Sequence, residues 1–112
     1  MRIRILTAVA LMIGALANAQ AAVNQPVIDN KSCDAPKYPK ASLMNEETGT
    51  VTLGFLIGTD GKVIESKIES SSGSKSLDKT ALAALSLCKF KPGTKDGKVE
   101  QMWTKLEFLW KF

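Results

Sequence analysis

Three stretches of alternating polarity and one of helical period hold most of the apolar residues after position 50. In Thr50 to Ile57 (TVTLGFLI), Val51, Leu53, Phe55 and Ile57 fall on one face, and the β-branched and aromatic content favours a strand over a helix of this length. Gly58-Thr59-Asp60-Gly61 follows, and Asp-Gly between two apolar runs predicts a hairpin because it supplies the positive-φ positions of the turn. Val63 to Ser70 (VIESKIES) is then the return strand, with Ile64 and Ile68 expected inside and Glu65, Lys67 and Glu69 outside. After Ser70-Ser71-Ser72-Gly73 the period changes to 3.6: Leu77, Ala81, Ala84, Leu85 and Cys88 share one helical face. Ser76 is the expected N-cap, Asp78 and Lys89 suit the two poles of the helix dipole, and Pro92-Gly93 is the expected stop.

Gly93 to Lys98 (GTKDGK) reads as a polar connection to the last alternating stretch, Glu100 to Phe112 (EQMWTKLEFLWKF). There Met102, Thr104, Leu106, Phe108, Trp110 and Phe112 lie on one face, and Trp103, Lys105, Glu107, Leu109 and Lys111 on the other. The predicted order is strand, strand, helix, strand, an α+β fold. An antiparallel hairpin followed by a helical crossover brings the third strand in beside the first, parallel to the second, giving a three-stranded sheet of order 2-1-3 with one helix on one face. The last strand is then an edge whose outer amides and carbonyls are open to another strand.

Ahead of this unit the pattern is of a different kind. Arg2 and Arg4 precede a thirteen-residue apolar run, Ile5 to Ala17, and Ala17-Asn18-Ala19 has the small-x-small form of a signal peptidase site. Residues 1–19 are therefore expected to be a cleaved secretion signal, with Ala21 as the alternative cleavage point and an uncleaved inner-membrane anchor as the alternative role. Thirteen helical residues reach about 20 Å of a hydrocarbon core of roughly 30 Å, which argues against spanning. Residues 20–34 carry no periodicity and are expected to be a flexible lead. Cys33 to Pro39 (CDAPKYP) should be extended because of its two prolines, followed by one helical turn over Pro39 to Leu43 and the Glu46-Glu47-Thr48-Gly49 loop. Residues 35–112 form the expected domain.

Cleavage would remove both arginines, leaving thirteen lysines against eleven acids and lowering the net charge from +4 to +2. The lysines are interspersed with acids and no arginine remains for bidentate phosphate contacts, which argues against nucleic acid as a partner. Cys33 and Cys88 are an even pair in a chain addressed to an oxidising compartment, which favours a disulfide. Two buried thiols, or redox or metal chemistry, are the alternatives. With no histidine, no Cys-x-x-Cys and no phosphate-binding loop, neither a metal centre, a cofactor nor a catalytic site is expected. Glu46 and Glu47 are adjacent, but neighbours on an extended segment point apart and do not share acid-base work. The chain is expected not to be an enzyme.

Tyr38-Pro39 with Ala41, Gly49-Thr50-Val51, Asp60-Gly61-Lys62-Val63, Ser71-Ser72-Gly73, Leu77-Asp78, Ala81 and Phe90-Lys91-Pro92 occur in an order and spacing that resembles the C-terminal domain of TonB, the periplasmic end of the energy transducer of Gram-negative bacteria. The resemblance implies the ββαβ fold and a periplasmic binding module whose last strand pairs with a short peptide, the TonB box of an outer-membrane receptor. Mapped here, that edge is Gln101, Trp103, Lys105, Glu107, Leu109 and Lys111, with Pro36, Tyr38 and Pro39 in the N-terminal arm. The implied partner is a protein or peptide strand, from a TonB-dependent receptor or another envelope protein; self-association into a strand-swapped dimer is the alternative. Transducers carry Gln-Pro-x-Tyr-Pro where this chain has Ala35-Pro36-Lys37-Tyr38-Pro39, and they have a membrane helix and a long proline-rich spacer where it has a signal and a short lead. A self-standing periplasmic domain is accordingly expected.

Overall fold

The computed structural model describes residues 22–112, so the expected signal, residues 1–19, lies outside the described residues. Among the described residues no helix is long and apolar enough to cross a membrane. The elements are β1 (Val23–Asn24), β2 (Val27–Ile28), α1 (Lys40–Met44), β3 (Gly49–Ile57), β4 (Val63–Ser70), α2 (Lys75–Leu85), β5 (Phe90–Lys91), β6 (Thr94–Lys95), β7 (Lys98–Val99) and β8 (Met102–Trp110).

The main sheet has the order β4-β3-β8, as the hairpin and crossover predict, and both seams are antiparallel. β3 is central, and the alternation in its sequence becomes a division between two faces. Val51, Leu53, Phe55 and Ile57 are fully buried against Leu77, Ala81 and Leu85 of α2, together with Cys88, Phe90 and Trp110. Removing each of the valine, leucine, isoleucine and phenylalanine side chains among these from water contributes about 1.5–3 kcal/mol. α2 is amphipathic at this spacing because it covers only the inner face of the sheet.

The two seams differ. β3 and β8 pair without interruption through nine positions, from Gly49 opposite Trp110 to Ile57 opposite Met102. The β3–β4 register shifts twice, between Thr52 and Leu53 and between Leu56 and Ile57, and Ile64 and Glu69 fall outside the pairing. Ile64 is consequently not the inner-face residue that alternation implies. It is 53% exposed, and Val63 takes the place opposite Ile57. An extra residue flips the pleat, so a period-2 reading holds only up to the irregularity.

α2 starts two residues earlier than expected and ends well before Pro92. Its N-cap is Ser74, not Ser76: the Ser74 hydroxyl accepts from the Leu77 amide at 3.2 Å and donates to the Glu47 carboxylate at 2.9 Å. Gly73, at φ 99°, turns the chain so that Ser74 can cap, which leaves Ser76 exposed within the first turn. Asp78 is buried and binds the incoming loop, accepting from the Ser72 amide at 2.9 Å, the Ser72 hydroxyl at 2.6 Å and the Ser71 hydroxyl. The helix stops at Leu85 with Ser86 as C-cap, so Lys89 lies beyond the last turn. From there the chain is held by other partners. Cys88 is disulfide-bonded to Cys33, and the Phe90 amide donates to the Gly61 carbonyl at 2.8 Å. Gly61 has φ 83°, and a Cβ there would run into the Phe90 carbonyl.

The lead expected to be flexible carries two strands, β1 pairing with β6 and β2 with β5. The partner of β1 comes from the stretch read as a connection, and that of β2 from Phe90–Lys91 just ahead of it. Thr94-Lys95-Asp96-Gly97-Lys98-Val99 is a hairpin, with Asp96 at φ 52° and Gly97 at φ 80° supplying the turn, the same Asp-Gly signal that marks the β3–β4 hairpin. Two-residue strands have no period to read, which is why neither was legible as an element.

Candidate functional site

β8 pairs with β3 on one side only, and among the described residues no backbone hydrogen bond reaches its other side. β4 is the opposite edge of the sheet. Its two register irregularities and its charged sequence are the usual ways of blunting an edge against further pairing, whereas β8 is nine residues long and regular. Of the two edges, β8 is the long and regular one, and among the described residues its outer side carries no backbone hydrogen bond.

Trp103, Lys105, Glu107 and Leu109 all stand on the outer face of β8, with Trp103 41% and Leu109 54% exposed. Gln101 and Lys111 flank the strand and are exposed. Trp110 turns inward, 2% exposed, with its ring 4.9 Å from those of Phe108 and Tyr38. Tyr38 is held by its hydroxyl, which donates to the Glu47 carbonyl at 2.6 Å, and it stacks on Phe112 at 5.3 Å. Tyr38 therefore sits at the end of β8, with Pro39 beside it as the N-cap position of α1, whereas Pro36 lies alongside Leu106, Glu107 and Phe108 in the middle of the strand.

On the outer face, Gly54 of β3 leaves a gap between its neighbours Lys67 and Lys105. Glu69 lies across it, 3.1 Å from the Lys67 ammonium and 3.8 Å from that of Lys105, and Lys67 rests 4.5 Å from the ring centre of Trp103. A groove of about 720 Å³ opens over this cluster and extends past Trp103, Thr104 and Lys105 to Gln25 and Pro26. A second cleft, of about 240 Å³, separates Leu106, Glu107 and Phe108 from Ile28, Cys33 and Pro36. Successive residues of a strand point to opposite faces, so a cavity touching three in a row meets the strand at its edge. Gly54, Lys67, Glu69 and the lead residues Gln25, Pro26 and Ile28 are absent from the set the sequence suggests, whereas Cys33 and Pro36 belong to it. A glycine inside a strand, which marks close approach or a missing side chain, was the one available signal.

The sequence profile of the Gram-negative bacterial TonB protein C-terminal matches residues 34–112, from the arm to the end of β8. The chain belongs to this family. Protein TonB of Haemophilus ducreyi is 37% identical over 75 residues, 67% of this chain and 26% of that protein. Protein TonB of Vibrio cholerae is 31% identical over 86 residues, 72% of this chain and 35% of that protein. Protein TonB of Neisseria meningitidis serogroup C is 42% identical over 59 residues, 53% of this chain and 21% of that protein. The chain thus spans about a fifth to a third of the length of these TonB relatives. The solution NMR structure of Pseudomonas aeruginosa TonB CTD superposes with a TM-score of 0.59, covering 87% of this chain and 91% of that one at 20% identity, a likeness of fold. The α+β architecture is therefore that of a TonB C-terminal domain.

Proposed function

We propose that this TonB C-terminal domain is a periplasmic binding module that takes an extended segment of a partner protein as a further strand along β8, in the service of TonB-dependent transport across the outer membrane. The observation that carries this reading is the contrast between the two sheet edges: β4 is interrupted twice, and β8 offers nine regular positions whose outer side has no backbone partner among the described residues. Main-chain hydrogen bonds along such an edge supply affinity, and the side chains that alternate along it tune the choice of partner. On the outer face those are Trp103, Lys105, Glu107 and Leu109. Membership of the TonB family supports an outer-membrane receptor as the partner class.

The test is a titration of the mature protein with peptides copied from the periplasmic N-terminal segments of outer-membrane receptors, read by amide hydrogen exchange. Slowed exchange along residues 102–110 is expected for at least one peptide. Protection elsewhere, or none with any peptide, overturns the reading.

A further inference from the structure

We propose that residues 25–36, which are most of the lead and the first residues of the arm, form a second wall facing the edge of β8, and that this wall admits a lone extended chain to that edge while barring the edge strand of another folded sheet, including a second copy of this domain. The inference rests on the reading of β8 as a strand-accepting edge.

The two cavities that reach β8 both have this segment on their far side: Gln25 and Pro26 stand opposite Trp103–Lys105 in the groove that runs over Gly54, Lys67 and Glu69 on the outer face, and Ile28 to Pro36 stand opposite Leu106–Phe108 in the cleft that Leu85 of α2 bounds on the inner face. The lead is not itself an added strand, since among the described residues no backbone hydrogen bond joins it to β8. Nor is it loose. Val27 and Ile28 pair with Lys91 and Phe90, the Asp29 amide donates to the Lys89 carbonyl at 2.9 Å, and the Lys89 amide donates to the Ser32 hydroxyl at 2.8 Å. The Cys33–Cys88 disulfide then fixes the segment covalently to the end of α2. Where this segment and β8 line the same cavities, both sides are therefore held in place.

The width of a strand decides what can enter. A single peptide occupies one inter-strand spacing of about 4.8 Å, whereas a folded sheet brings its next strand another 4.8 Å out and a packed layer about 10 Å to the side. The lead lines the far side of both cavities, so additional structure brought to this edge would meet it. Self-association through β8 therefore requires the lead to move, and the disulfide opposes this.

A synthetic peptide with the sequence of residues 102–110 isolates the effect, because it differs from a second copy of the domain only in having no sheet behind it. The oxidised protein is expected to bind this peptide, with protection of the β8 amides, at a Kd at least tenfold below its own dimer dissociation constant in sedimentation. In the paired C33S and C88S variant, checked for folding by circular dichroism, the two constants should converge as dimer forms. An oxidised protein that dimerises through β8 as readily as it binds the peptide overturns the wall while leaving strand addition standing. Peptide bound by neither protein removes strand addition and the wall with it. The comparison within the oxidised protein decides the matter even if the variant does not fold.

Discussion

Lys67 on β4 and Trp103 on β8 meet across the strand between them, the ammonium lying 4.5 Å from the ring centre. They can do so because Gly54 has no side chain to separate them. At a partly exposed site such a contact is worth about 0.5–1 kcal/mol. Lys67→Ala is expected to cost no more than that in urea unfolding and to shift the emission of Trp103.

Gly54 itself should tolerate alanine. The new Cβ would lie 2.9 Å from Glu69 Oε1 and 3.2 Å from Lys67 Cε, both far ends of flexible side chains, and alanine is the better strand residue by about 0.5–1 kcal/mol. Gly54→Ala is therefore expected to unfold within about 1 kcal/mol of the native protein, while displacing Lys67 from Trp103 and reproducing the emission change.

Asp78 sets an acid limit on stability. Burial alone pushes its pKa up, but the Ser71 hydroxyl, the Ser72 hydroxyl and the Ser72 amide outweigh this and hold the carboxyl below its ordinary value. A depressed folded-state pKa gives stability that is fully present above the unfolded value, about 4, and is lost as pH falls through the folded one. Asp78→Asn is expected to lower stability at pH 7 by about 1–3 kcal/mol and to flatten the decline below about pH 4. Denaturant midpoints of both proteins across pH 2–7 would show it.

Tyr38 closes the far end of β8 through its hydroxyl and its ring. Tyr38→Phe removes the bond to the Glu47 carbonyl and is expected to cost about 1 kcal/mol. Tyr38→Ala also removes the contacts with Trp110 and Phe112 and should cost about 2–4 kcal/mol. If the two variants unfold at the same denaturant concentration, the ring packing contributes nothing.

The disulfide closes a loop spanning a sequence separation of 55 residues. Replacing both cysteines with serine is expected to destabilise the domain by up to about 4 kcal/mol through loop-closure entropy. Urea unfolding would give the value, with a lower midpoint and a steeper slope, because the unlinked unfolded chain exposes more surface.

What could be read from the sequence was whatever repeated. Val51, Leu53, Phe55 and Ile57 repeat every second residue, and Leu77, Ala81 and Leu85 at helical spacing, so sheet, helix and core follow from pattern. Ile64 did not follow, because its place depends on one unpaired residue that alternation cannot register. Nor did the helix start, where a positive φ at Gly73 moves the cap to Ser74. The outer row of β8 was legible as a strand face, but the cavities beside it were not. They are made by Gly54 and by the lead, whose β1 and β2 exist only through contacts with residues about seventy and sixty-three positions away.

The unbroken β3–β8 ladder has a mechanical consequence. Hydrogen bonds between antiparallel strands lie perpendicular to the strand axis, so tension along β8 loads the nine paired positions together. Tension across the strand would peel them apart one after another. The domain resists a pull directed along its last strand and yields to one directed away from the sheet.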